Sequence, residues 1–128
     1  MTQEDKELIF KELCARLPYH VKCKIWIKDG TTEEGLLDLQ HNYGNVLQDA
    51  FYYNKIKDIK PYLFPLSSMT EEEKEEYCQL QQRVIYNSKG VINEDVTKYI
   101  NYCYKKHLDI NNLIPMELAI DATGLNIY

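Results

Sequence analysis

Lys57-Asp58-Ile59-Lys60-Pro61-Tyr62-Leu63-Phe64-Pro65-Leu66-Ser67-Ser68-Met69-Thr70-Glu71-Glu72-Glu73 divides this chain of 128 residues in two. Its first part is apolar and punctuated by Pro61 and Pro65. A residue that precedes proline is pushed out of the helical region, so this part reads as extended chain. Its second part starts a helix. Thr70 followed three residues later by Glu73 fits the capping box, in which a hydroxyl and a carboxylate satisfy backbone N–H groups reciprocally. The boundary predicts two parts, residues 1–66 and 67–128.

Upstream, Leu8, Ile9, Phe10, Leu13, Cys14 and Leu17 recur at helical spacing, which predicts a helix over 3–16 stopped by Pro18. Residues 21–28 alternate. Val21, Cys23, Ile25 and Ile27 point one way, and Lys22, Lys24, Trp26 and Lys28 point the other, as in a half-buried strand. Asp29-Gly30 is a turn signal, with Leu36–Leu39 as the returning strand. His41–Asn45 reads as the next turn, Val46-Leu47 as a third strand and Phe51–Tyr53 as a fourth. Lys55–Ile59 reads as a helical turn leading into extended Pro61–Phe64. Short strands at this spacing predict a small, bent β-barrel of SH3-like type behind the N-terminal helix.

Downstream, residues 71–82 predict an acidic helix with a thin stripe of Tyr77, Cys78 and Leu80. Val84–Tyr86 and Val91-Ile92 read as short strands around an Asn87–Gly90 turn. Asn93 caps a helix over 94–107, with Val96, Tyr99, Ile100, Cys103, Tyr104 and His107 on one face. Asp109 is placed to cap a short final helix limited by Pro115, and Gly124 falls in a frayed tail. The class expected is α+β, with a C-terminal helical subdomain packed on the barrel.

Two stretches, Leu13–Tyr19 leading into Val21–Ile27 and Ile59–Thr70 with the acidic helix behind it, carry a resemblance. So does the C-terminal portion from Tyr102 to Asp121, which contains His107-Leu108-Asp109-Ile110-Asn111-Asn112-Leu113-Ile114. Together they cover about half of the chain, and they resemble a group of small uncharacterised proteins common in Bacteroidales genomes, their prophages and related gut phages. Pro115 departs from the pattern, which has an acidic residue there. The resemblance implies a prokaryotic or phage cytosolic protein and no particular chemistry.

Composition narrows the classes. With 45% hydrophobic and 27% charged residues the chain has an ordinary globular balance. The net charge of −5 is uneven, −1 over residues 1–60 and −4 over 61–128. That does not favour nonspecific binding to a phosphate backbone, which relies on clustered cations. No apolar run reaches the roughly 20 residues of a membrane-spanning helix. The N-terminal residues are polar and acidic, unlike a signal peptide, so a cytoplasmic location is expected. Cys14, Cys23, Cys78 and Cys103 are scattered, with neither ligand nor redox spacing; the reading is four small buried hydrophobes, no disulfide and no metal. Eleven tyrosines suit half-buried surfaces, whether at an interface or around a small core.

No catalytic residue, cofactor or metal site is expected. His107 and Asp109 form a His–carboxylate pair, but helix-end electrostatics and capping explain them first. Cys103 and His107 share a helical face, yet that face is apolar and would bury the thiol. The candidate binding face is Lys22, Lys24, Trp26 and Lys28, with Lys55, Lys57 and Lys60 as extensions. Cations around an indole suit single-stranded nucleic acid, where bases stack and lysines follow phosphates. Against this stand edge-strand protection by lysine and packing of Trp26 under the first helix. The expected function is a non-enzymatic protein-binding accessory protein of a phage or mobile element, with counter-defence as one version and a basic partner suited to the acidic C-terminal half. The alternative is a nucleic-acid-binding small barrel.

Overall fold

The computed structural model describes residues 2–37, 56–85 and 93–128. The first helix, α1, spans Gln3–Arg16 and opens with a capping box. Asp5 N–H donates to the Thr2 hydroxyl, and the Asp5 carboxylate accepts from Thr2 N–H. A 3-10 turn, Leu17–Tyr19, follows, and His20 adopts a left-handed conformation before the chain enters β1, Val21–Ile27.

The turn after β1 is built by Asp29 and Gly30. The Asp29 carboxylate accepts from both the backbone and the hydroxyl of Thr31, while Gly30 takes φ +95° at no Cβ cost. The returning strand β2 therefore begins at once and runs Thr32–Leu37, four residues earlier than the apolar run at Leu36 suggests.

The next strand, β3, is Ile56–Leu63. Over Ile56–Ile59 it stands where the helical turn Lys55–Ile59 is expected, and the register shows why. Trp26 pairs with Asp58 and Ile27 with Ile56, so one step on β1 spans two residues on β3. This bulge breaks the period-two alternation of Ile56 and Ile59 and imitates helical spacing.

The final strand, β4, is the two-residue Ile120–Asp121. The sheet order is β2-β1-β3-β4, with antiparallel pairing of β1 to its neighbours and parallel pairing of β3 to β4. Among the described residues this is an open mixed sheet rather than a closed barrel. The strands expected at Val46-Leu47 and Phe51–Tyr53, the turns His41–Asn45 and Asn87–Gly90, and the strand Val91-Ile92 lie outside the described residues.

Helix α2, Glu71–Ile85, starts with the expected capping box: Glu73 N–H donates to the Thr70 hydroxyl and Thr70 N–H to the Glu73 carboxylate. It extends through Val84 and Ile85, which the sequence reading assigned to a strand. Helix α3, Asn93–Lys105, is shorter than expected because His107, at φ 55°, leaves the right-handed region. The apolar phase of α3 holds. Cys103 is buried and Val96, Tyr99, Ile100, Tyr104 and His107 are partly buried, while Thr97, Lys98 and Asn101 are exposed.

Beyond α3 the chain forms successive turns instead of a short helix. Asp109 still caps them, its two carboxylate oxygens accepting from Leu113 N–H and Ile114 N–H. The tail is anchored, not frayed. Pro61 pairs with Cys23 and brings no N–H to the ladder, and the next positions, Lys22 and Tyr62, are bridged by a side chain. The Tyr128 hydroxyl accepts from Lys22 N–H at 2.8 Å and donates to the Tyr62 carbonyl at 2.7 Å.

The core gathers Ile9 and Leu13 of α1, Val21, Cys23 and Ile25 of β1, Ile59 and Leu63 of β3, and Leu113, Leu118 and Ala119. It draws on both sides of residue 66. Three charged residues are buried among the described residues, the capping Asp109 and, on α1, Glu12 at 3% and Arg16 at 0% exposure. Ile9, Glu12, Leu13 and Arg16 share one helical face at the i, i+3, i+4, i+7 spacing. Arg16 donates to Glu12 and to the Leu108 carbonyl, each at 2.6 Å, and lies over the Tyr104 ring. Asn111 donates to the second Glu12 oxygen at 2.6 Å. Phe10 and Cys14, assigned to the buried stripe, are exposed, as is Cys78. Only Cys23 and Cys103 are buried as small hydrophobes.

Candidate binding face on the outer side of the sheet

Strand alternation buries Val21, Cys23 and Ile25 against α1 and turns Lys22, Lys24 and Trp26 to the opposite face. The register adds Thr32, Glu34 and Leu36 from β2 and Asp58, Lys60 and Tyr62 from β3 to that face. Lys22, Lys24 and Trp26 thus come together as expected. Lys28 does not join them, because it sits exposed in the turn after β1. Lys60 takes its place. Lys57 is exposed at the bulge, and Lys55 lies outside the described residues.

Two explanations of this face without a binding role lose their basis. β1 is hydrogen-bonded on both sides, so its lysines do not guard an edge. Helix α1 packs on the opposite face, so Trp26 is not beneath it.

The indole of Trp26 is the centre of the cluster. Lys24 Nζ lies 5.4 Å and Lys60 Nζ 5.6 Å from its ring centroid. Each such contact is worth about 0.5–1 kcal/mol at an exposed site. Lys24 and Lys60 are also directly paired across β1 and β3, and like charges in that relation repel.

The nearby carboxylates are engaged elsewhere. Glu34 lies 3.9 Å from the Lys22 ammonium and accepts from the Tyr62 hydroxyl at 2.8 Å. Burial, then the Glu34 hydrogen bond, pushes the Tyr62 phenol up to about 12. Asp58 accepts from Ile59 N–H at 2.8 Å. Among the described residues, neither Lys24 nor Lys60 has an ion-pair partner.

A second constellation lies at the end of α3. The His107 ring stacks on Tyr128 at 3.7 Å between centroids, and its Nδ1 is buried with no hydrogen-bond partner among the described residues. Burial first, and then the charges of Arg16 and His20, lower its pKa to about 4, so the imidazole is neutral at physiological pH. Asp109 serves the cap described above rather than His107. Desolvation pushes the Cys103 thiol up to about 11, which leaves it protonated and a poor nucleophile. A cavity of about 380 Å³ opens beside Phe64, Met69, Glu73 and Tyr128. Its one carboxylate, Glu73, already holds Thr70 N–H and lies 3.8 Å from the Lys106 ammonium. Among the described residues no three His, Cys, Asp or Glu side chains converge as metal ligands. No helix among them is long and apolar enough to cross a membrane.

Compared with family models, curated proteins and solved structures, the chain matches none.

Proposed function

We propose that this chain is a non-enzymatic protein-binding protein that docks its partner on the outer face of the sheet, around Trp26. The observation that carries this reading is an indole on a central strand with two ammoniums within 5.6 Å of its ring centroid, neither of them ion-paired among the described residues. Protein interfaces concentrate energy in such aromatic anchors ringed by polar groups.

The tyrosines contribute less to a free surface than their number suggests. Tyr19, Tyr62, Tyr77, Tyr99, Tyr102 and Tyr128 place their hydroxyls in hydrogen bonds within the chain. An SH3-like bend of the N-terminal half remains part of the proposal and rests on strand number and length. The accessory role in a phage or mobile element, with counter-defence as one version, rests on the family resemblance.

Nucleic-acid binding is the second reading, favoured by the same Trp26–lysine arrangement. Glu34 and Asp58 on that face and the net charge of −5 oppose it.

The two readings separate in a pull-down from bacterial lysate, with and without nuclease, comparing the natural chain with Trp26→Ala. Docking of a protein predicts a nuclease-resistant capture that Trp26→Ala abolishes. Capture lost on nuclease treatment, or indifferent to Trp26, would count against it.

A further inference from the structure

Building on the docking reading above, we propose that Lys24, Trp26 and Lys60 form a receptor for a single carboxylate, carried by an acidic side chain with an apolar neighbour in an extended segment of the partner. Lys24 and Lys60, paired across β1 and β3, repel each other. Both ammoniums lie within 5.6 Å of one ring centroid, so the ring gathers two positive charges over a small area. Lys24 and Lys60 are neighbours across the ladder, and a carboxylate, with two oxygens, is the smallest group that answers both charges, through charge-assisted hydrogen bonds stronger than neutral ones. The indole then offers flat apolar area to the residue beside that acid.

The surroundings set the size and sign of the guest. Glu34 is paired to Lys24 across β1 and β2 and leans to within 3.9 Å of the Lys22 ammonium, and Asp58 is paired to Trp26 across β1 and β3. A polyanion laid along this face meets those two carboxylates after its first charge. One isolated acidic group meets the least of that repulsion. A cationic segment meets Lys24 and Lys60 first, so the sheet face selects an acidic guest.

The test is selection of a displayed random peptide library on the intact chain, with counter-selection on Trp26→Ala. The expected result is enrichment of peptides with Asp or Glu next to an apolar residue. Lys24→Gln with Lys60→Gln should weaken the selected peptides at least about tenfold, because both charge-assisted contacts are lost. Lys22→Gln, whose charge faces Glu34, should change them less than about threefold. The double variant loses two cation–π contacts as well as a repulsion, so its thermal midpoint is measured beside its binding, and a tenfold loss well below that midpoint cannot be ascribed to unfolding. Enriched peptides that are neutral or basic would overturn the carboxylate receptor while leaving docking around Trp26 intact. No peptide dependent on Trp26, or displacement of the selected peptides by oligothymidine at physiological salt, would overturn both.

Discussion

At the scale of single residues, the chain uses charged and aromatic side chains where a simple apolar pattern would not place them. His107 is the clearest case. Its ring is stacked on Tyr128 and faces the positive charges of Arg16 and His20, so the fold prefers it neutral. The unfolded chain takes up a proton near the ordinary 6.5, whereas the folded chain resists until about 4. Between these values the unfolded state binds more protons, so acidification lowers stability and the loss levels off below about 4. A tenfold change in proton affinity is worth about 1.4 kcal/mol. The ring is partly exposed, and solvent screening reduces the effect to about 1–2 kcal/mol over the window. Replacing His107 by Asn, which tolerates the left-handed backbone there, should flatten the dependence of thermal midpoint on pH between 7 and 5. Parallel profiles for the two proteins would show that His107 titrates normally. Arg16 and Glu12 make the same point about burial. An i, i+4 pair of opposite charge is commonly a surface feature of a helix. The phase set by Ile9 and Leu13, which puts 12 and 16 on the core face, was the signal that they are buried.

At the scale of elements, what the sequence revealed depended on whether a local pattern stayed regular. The first helix, the alternation of β1, the Thr70–Glu73 cap and the phase of α3 were all legible, because each rests on spacing or capping within a few residues. β3 was misread because its bulge disturbs alternation, and that bulge is set by pairing with a strand some thirty residues away. The anchored tail was also beyond local reading, since nothing near Tyr128 announces that its hydroxyl bridges two strands. That bridge gives a test. Tyr128→Phe keeps the ring against His107 and removes only the oxygen that joins Lys22 N–H to the Tyr62 carbonyl. Leaving such groups unpaired costs about 1–3 kcal/mol. The variant should therefore melt measurably lower, with faster amide exchange at Lys22. Unchanged exchange at Lys22 would show that the hydroxyl does not hold the strands together. Of the candidate face, Lys22, Lys24 and Trp26 were legible from alternation. The exchange of Lys28 for Lys60 was not, because it depends on where the turn begins and on cross-strand register.

At the scale of the whole molecule, one buried ionic knot ties the first helix to the last turns. Arg16 reaches the Leu108 carbonyl and Asn111 reaches Glu12, linking residues far apart in sequence. Removing one member of a buried pair strands the other, at a cost of about 3–5 kcal/mol, whereas replacing both by apolar residues is often nearly neutral. Arg16→Met should therefore destabilise the chain strongly in denaturant, and adding Glu12→Leu should recover much of the loss. If the double variant is no more stable than Arg16→Met alone, the contacts to Leu108 and Asn111 matter more than the charge pair. On the opposite side of the sheet from this knot the chain carries its only tryptophan. The fluorescence of Trp26 is consequently the most direct measurement of the central claim, that the outer sheet face is a docking surface for protein. The account predicts red-shifted emission accessible to acrylamide in the free chain, shielding of the indole when a selected acidic peptide binds, and no saturable change with oligothymidine at physiological salt. Blue-shifted emission resistant to acrylamide, or saturable quenching by oligothymidine that fades steeply with salt, would contradict it.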